Sequence, residues 1–312
     1  MDSVTQFALG ASIGEAVLGR RVGNRAPLIG GMVATLPDLD SFIPWQDAVA
    51  SFTYHRSATH SLLVLTVVSP VLTWLLLKLQ PRLQALKRES FLLVFLALIT
   101  HPLLDAFTVY GTQLLWPLTD YPFSGSTIFI VDPAYTLWLL IGFIAAMVMN
   151  RQQQLGHRLN LAGLVMSSVY LAWTVAAKVI IDEKAATLLT ERGTRYERLL
   201  STPAPFNTLQ WRLIGRVDNG YFDFFLPVFG TGDSVSINHF SSEDGLLDDL
   251  DSHWPVMRLM EFTHGFYKVS LLNNAVLVTD LRMGLEGSYV FNFKVAEKQN
   301  NGTLPVTSVL MP

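Results

Sequence analysis

Three short segments and two single carboxylates of this 312-residue chain gather the side chains that hold cations or move protons. The segments are Pro37-Asp38-Leu39-Asp40, His55-Arg56-Ser57-Ala58-Thr59-His60-Ser61 and Thr100-His101-Pro102-Leu103-Leu104-Asp105; the carboxylates are Asp132 and Asp182. His101 and Asp105 stand four positions apart and share a helix face. At that spacing an imidazole and a carboxylate either bind one metal together or the carboxylate orients the histidine. Asp38 and Asp40 lie two apart in a turn-like segment, where like charges repel unless a cation or protons intervene. His55 and His60 flank a helix start, with His60 close enough to the following apolar run to project inward. Two histidine-bearing and two carboxylate-bearing segments offer ligands for one divalent ion or two, Zn²⁺ first and Mn²⁺ second. Such a centre activates water and stabilises charge on a carbonyl or phosphoryl oxygen. Arg56 either pairs with the acids or binds a phosphate. A lone interfacial histidine or aspartate is most often a cap or a solvated residue, and Asp132 and Asp182 read best that way. Asp105 differs, because a carboxylate near hydrocarbon is costly without a partner or a role.

The elements that must position these residues are apolar. Charged residues make up 15% of the chain and hydrophobic ones 50%, against roughly 25% charge in an ordinary soluble domain. The shortfall is local: Leu62–Leu79, Phe91–Val109, Ile128–Met149 and Leu161–Ile181 read as membrane spans. Residues 4–19 and 26–36 are shorter and rich in Gly and Ala; of a helical hairpin packed on small residues, full spans, or segments that only dip into the membrane, the packed hairpin is expected. Three basic groups, Arg20/Arg21/Arg25, Lys78/Arg82/Lys87/Arg88 and Arg151/Arg158, fall on one side of alternating spans, which is therefore the cytoplasmic side. The histidine and aspartate segments all fall on the other side, although the charge count used none of them. The net charge of -3 argues against a dominant nucleic-acid surface, and the lack of cysteine excludes disulfides, thiolate ligands and a cysteine nucleophile. The N-terminus begins with an acid and lacks a basic n-region, so it makes a poor signal peptide.

After Asp182 the composition becomes that of a soluble protein. Residues 182–200 are charged and helix-like, a stalk prolonging the last span, and STPAPFN reads as a turn or rigid linker. The strand-like runs WRLIGRV, GYFDFFLPVF, FYKVSLLNNAVLVTDLRM and SYVFNFKVAE follow, with an acidic loop leading into a helix at EDGLLDDLDSHWPVMRLMEF. The acidic run fits no calcium-loop pattern and reads as a solvated face. The expected architecture is a polytopic α-helical membrane domain (1–182), a stalk or linker (183–205) and a small soluble α+β domain (206–312).

Together, PDLDS at 37–41, HRSATHS at 55–61 and HPLLD at 101–105 resemble the motifs of the bacterial membrane-bound metal-dependent hydrolase family. The resemblance runs from Met1 to about Asp182, with a further similar stretch at TPAPFNTLQWR. It implies metal-site roles for Asp38, Asp40, His60, His101 and Asp105, with His55 as ligand or acid/base. Where members of that family commonly carry Thr-His near the N-terminus, this chain has Thr5-Gln6; either that position is not essential or the site holds one ligand fewer. The expected protein is an inner-membrane hydrolase acting at the extracytoplasmic face on a membrane-associated ester or phosphoester, a lipid or other amphiphile. His55 would carry the proton, Arg56 would neutralise the developing oxyanion, and the external domain would cover the site or select substrates. The rival readings are a transporter or metal-handling protein and a non-catalytic envelope scaffold. A transporter should continue its polar residues to the other face, and the cytoplasmic halves of the helices read as largely apolar.

Overall fold

A computed structural model describes residues 1–45, 47–149, 154–230, 235–300 and 302–311; Arg151, one of the basic loop residues, lies outside them. The chain divides into two units, the first made of 1–42, 56–176 and 205–207, the second of 43–55, 177–204 and 208–312.

In the first unit, α1 (Ser3–Val22) and α2 (Arg25–Ala34) form the hairpin that the small residues predict. Asp2 starts α1 by accepting from the Val4 and Thr5 amides. A Cβ on Gly10 would overlap the Gly30 carbonyl, one on Gly30 the Gly10 carbonyl, and one on Gly14 the Ala26 carbonyl. The two backbones therefore touch directly, which only glycine permits at these positions. A 3-10 turn at Pro37–Phe42 follows. Ala58–His60 forms a second such turn, and Ser61 then caps α4 (Leu62–Leu79). α4 turns back into α5 (Lys87–Asp105).

α6 (Pro133–Val148) begins later than the apolar run suggests. Asp132 caps it through the Ala134 and Tyr135 amides and accepts the Tyr170 hydroxyl at 2.9 Å, with Pro133 as the first helical residue. Its 16 residues cover about 24 Å, short of a bilayer's ~30 Å hydrocarbon core. α7 (Leu155–Glu191) runs past Ile181, as the charged helical continuation predicts, but stops at Glu191, and residues 198–200, read as part of the helix-like stalk, are strand.

Of the four expected spans, two helices among the described residues, α4 and α7, are long and apolar enough to cross a membrane. α5 begins with Lys87, Arg88 and Glu89, and α6 is too short. Only 17% of the apolar window of α4 and 22% of that of α7 is buried. The core helix of a soluble protein would be mostly buried, whereas most of the apolar surface of these two helices is left open.

The second unit holds two four-stranded antiparallel sheets, ordered β1-β2-β3-β4 and β5-β6-β7-β8. The first comprises β1 (Arg198–Pro203), β2 (Gln210–Val217), β3 (Gly220–Pro227) and β4 (Asn238–Ser241). The second comprises β5 (Tyr267–Leu272), β6 (Ala275–Asp280), β7 (Asn292–Gln299) and β8 (Gly302–Met311). Asn273 and Asn274 both take positive φ, which gives the two-residue β5–β6 hairpin its turn. The acidic loop is a 3-10 turn (Asp244–Leu250) leading into α8 (Trp254–Phe262), as expected.

Part of STPAPFN is strand rather than linker: Ser201, Thr202 and Pro203 pair with Leu213, Arg212 and Trp211. β1 is an edge strand, where proline is tolerated. α3 (Ala48–Tyr54) also belongs here, its Phe52 ring 4.5 Å from that of Phe291 and 5.0 Å from that of Phe262.

Arg212, almost fully buried, holds Asp223 at 2.9 Å, the Leu281 carbonyl at 2.9 Å and the Tyr289 hydroxyl at 3.1 Å. Arg212→Ala strands the buried Asp223 carboxylate and is expected to cost this unit about 3–5 kcal/mol. Chemical unfolding followed through the buried Trp211 would read the loss, and an unchanged midpoint would contradict it.

Candidate metal centre

Four side chains from three segments meet inside the first unit. Asp38 comes from the turn after α2, His60 from the turn before α4, and His101 and Asp105 from the last turns of α5. One ligand atom from each lies within 4.8 Å of all the others. His60, His101 and Asp105 are fully buried, and Asp38 is the partly exposed member. The His60 and His101 Nε2 atoms are 3.1 Å apart. Asp38 Oδ1 is 3.3 Å from the His101 Nε2 and 3.6 Å from that of His60. Asp105 Oδ2 is 3.4 Å from the His60 Nε2 and 3.7 Å from that of His101.

The surroundings decide which ring nitrogens carry protons. His101 Nδ1 is 2.6 Å from the Ala34 carbonyl oxygen, which only accepts, so Nδ1 donates. The Thr59 hydroxyl gives its one proton to Asp40 Oδ2 at 2.6 Å; at 3.0 Å from His60 Nδ1 it can then only accept, so that nitrogen donates too. When neutral, both imidazoles therefore turn bare Nε2 lone pairs toward two carboxylate oxygens. Asp105 Oδ2 makes no well-aligned hydrogen bond, and the cation beside it is Arg56, with Nε at 3.2 Å. Four converging acceptors repel unless a proton or a cation stands among them, and this donor set suits a divalent cation. The alternative to an ion is a proton on Nε2: burial by itself would lower the His60 imidazole, but sharing that proton with Asp105 and Asp38 raises it. Burial likewise favours a protonated Asp38, yet in that protonated state of the rings hydrogen bonds from His101 and His60 hold it well below the usual carboxylate range.

The remaining candidates surround this cluster or lie elsewhere. Asp40 stands behind His60, on the Nδ1 side at 3.6 Å, and accepts the Arg56 amide at 3.2 Å. Arg56 places its Nε 3.2 Å from Asp105 Oδ2 and its guanidinium over the Tyr110 ring. Its φ of 64° is unfavourable for a residue with a Cβ. Asp40 on its amide and the Gln113 amide on its carbonyl, at 3.0 Å, hold it there. His55 closes α3 in the second unit. Asp132 caps α6, and Asp182, inside α7, accepts from Ser201 and lies 3.5 Å from Lys178.

Gln6 donates to Asp105 Oδ1 at 3.0 Å and to the His101 carbonyl at 3.1 Å. The Met1 amine also contacts Asp105 Oδ1. Sequence reasoning gave no role to Thr59 or to the Ala34 carbonyl. Thr59 stands in the HRSATHS motif beside His60, a signal that was available; a backbone carbonyl leaves none. Outer partners of metal ligands are worth about 10–100-fold in affinity. Thr59→Val is therefore expected to weaken divalent-ion binding by about that factor while Thr59→Ser keeps it. Titration against a chelating indicator would measure this, and equal affinities would refute the orienting role.

The fold and the cluster define a membrane protein with a buried His/Asp site suited to a divalent cation. Residues 1–181 match the profile of the YdjM inner membrane protein family, and the chain belongs to that family. No curated protein and no solved structure matches the chain.

Proposed function

We propose that the chain is a multi-pass, metal-dependent hydrolase of the inner membrane. It cleaves an ester or phosphoester of a membrane-associated amphiphile at the extracytoplasmic face. The observation that carries this reading is the convergence of two imidazole lone pairs and two carboxylate oxygens with both tautomers fixed from behind. Asp38, His60, His101 and Asp105 would hold the ion. The five edges at the two histidines run from 3.1 to 3.7 Å, compatible with the roughly 3.3–3.4 Å edges of a tetrahedral zinc site.

When bound, such an ion lowers the pKa of water toward neutrality and polarises the oxygen of the bond to be broken. Asp40 and Thr59 keep the His60 ring turned toward it, the Ala34 carbonyl does the same for His101, and Gln6 holds Asp105 by its outer oxygen. Asp40 thereby takes an orienting role. Arg56, engaged with Asp105 and Tyr110, offsets the buried carboxylate charge from its fixed position. His55 as proton carrier rests on the motif alone.

The basic turns support the orientation. Arg20, Arg21 and Arg25 lie at the α1–α2 connection, Lys78 to Arg88 at the α4–α5 connection, and Arg158 near the start of α7. The first two connections are at the far ends of the helices whose other ends carry the cluster. The test is release of phosphate or fatty acid from lipid esters and phosphodiesters by the detergent-purified, zinc-loaded chain. Turnover should vanish with chelator and return with zinc; no turnover across both substrate classes by a metal-loaded protein would count against hydrolysis.

One observation favours the transport reading. The polar groups of α1 do not stop at Gln6: the Asn160 amide donates to the Ser12 carbonyl at 2.9 Å, and buried Glu15 lies 3.4 Å from His157 Nδ1. The cytoplasmic halves are thus less apolar than the sequence suggests. Zinc flux into liposomes that is lost in Glu15→Gln would shift the assignment to a transporter.

A further inference from the structure

An apolar groove of about 280 Å³ opens along α4 in the first unit. Val64, Leu65, Val68 and Leu72 of α4 form one wall and Leu98 of α5 contributes to another, with Leu36, Pro37, Ala58 and Thr59 at one end. That end belongs to the candidate metal centre. Pro37 precedes Asp38, Thr59 hydrogen-bonds Asp40 and abuts His60, and Leu98 lies three residues before His101 on the same helix. From Val64 to Leu72 the groove follows α4 for about 12 Å, away from the cluster and along a helix long and apolar enough to cross the membrane.

We propose that this groove seats one acyl chain of a bilayer lipid and so presents the ester or phosphoester next to that chain to the His/Asp cluster. The proposal rests on the metal-hydrolase reading and narrows its substrate to a lipid.

Three features select this occupant. The groove's wall is apolar for its whole length along α4, with Thr59 as the polar contribution at the cluster end. The outward face of the same helix, with Val67, Val71 and Trp74 exposed, is the kind of surface that acyl chains cover, so the groove is continuous with a lipid-facing surface. A chain entering sideways from the bilayer needs no aqueous passage, whereas a water-soluble ester would find apolar walls where it requires hydrogen-bond partners. The bond cleaved then lies at the depth where the chain leaves the groove, at Pro37 and Thr59. Moving a chain from bilayer hydrocarbon into the groove exchanges one apolar surface for another, so packing along the groove rather than withdrawal from water holds it there.

The test uses the full chain in nanodiscs of phosphatidylglycerol containing a small share of the same lipid with a diazirine in one acyl chain. After photolysis the adducts are mapped by peptide mass spectrometry, and metal content is measured on the same samples. Adducts should concentrate on Val64–Leu72 and Leu98. Val68→Trp and Leu72→Trp, which fill the groove, should abolish that concentration, while Val67→Trp on the outward face should leave it intact. Adducts spread evenly over the outward faces of α4, α6 and α7, or groove labelling that survives both filling variants, would overturn the proposal. The wild-type map decides the question even if a filling variant fails to fold. Metal present without groove labelling removes the lipid groove and spares the hydrolase reading; groove labelling without metal does the reverse.

Discussion

His101→Ala and Asp105→Ala should each leave purification without bound metal, while the wild-type chain carries close to one divalent ion, as read by elemental mass spectrometry. The loss should exceed the roughly 10–100-fold that follows removal of an outer partner, because each substitution deletes one of four converging donors. The two variants differ in their effect on the fold. His101→Ala opens a small void and frees the Ala34 carbonyl. Asp105→Ala leaves buried Arg56 without the carboxylate at 3.2 Å and the Gln6 amide with only the His101 carbonyl of its two acceptors. Stranding one partner of a buried pair costs about 3–5 kcal/mol. Asp105→Asn, which keeps shape and an acceptor for Gln6, separates metal loss from unfolding. Asp132→Ala removes a helix cap outside the cluster and should retain the metal. A wild-type chain that takes up no divalent ion even after loading would remove the metal centre altogether.

Gly30→Leu should be the most damaging single change in the first unit. At this crossing the α1 and α2 backbones touch, and any Cβ on Gly30 meets the Gly10 carbonyl. Ordinary overpacking costs about 1–3 kcal/mol because side chains give way; here the obstacle is backbone, so the helices must separate. Separation has a chemical consequence. α1 carries Gln6, which holds Asp105, and α2 ends at Ala34, whose carbonyl fixes the His101 tautomer. The expected result is a large fall in the thermal midpoint of the detergent-solubilised chain together with loss of metal. Met32→Leu, on the exposed side of α2, should stay within about 0.5 kcal/mol of wild type. A Gly30→Leu protein that melts and binds metal like wild type would show that the hairpin does not position the site.

What the sequence determined by itself was local. The continuous apolar run of Leu62–Leu79 fixed α4, because a helix of that length and composition has few soluble alternatives. The Gly- and Ala-rich composition of residues 4–19 and 26–36 announced the α1–α2 contact, whereas FYKVSLLNNAVLVTDLRM, read as one strand-like run, is two strands turning at Asn273-Asn274. His101 and Asp105 could be placed on one face from their spacing, since the helix repeat is set by the backbone and not by neighbours.

Tertiary structure decided the rest. Asp38 and Asp40 look equivalent in PDLD, yet only Asp38 joins the four donors, while Asp40 stands behind His60; the direction each takes depends on where the chain is held at both ends of the turn. Ile43–His55 lies between two motifs of the first unit but belongs to the second, through Phe52 against rings far along the sequence. β1 and β8 contain Pro203 and Pro305, which are tolerated because both strands lie at sheet edges. Two of the four apolar runs fell short as spans because a cap at Asp132 and charges at Lys87–Glu89 set where the helix, or its apolar part, begins. Helix repeat and hydropathy act over a few residues and can be read in order along the chain. Burial, the partner behind an imidazole and the edge of a sheet come from contacts between distant segments, which exist only once the chain has closed on itself.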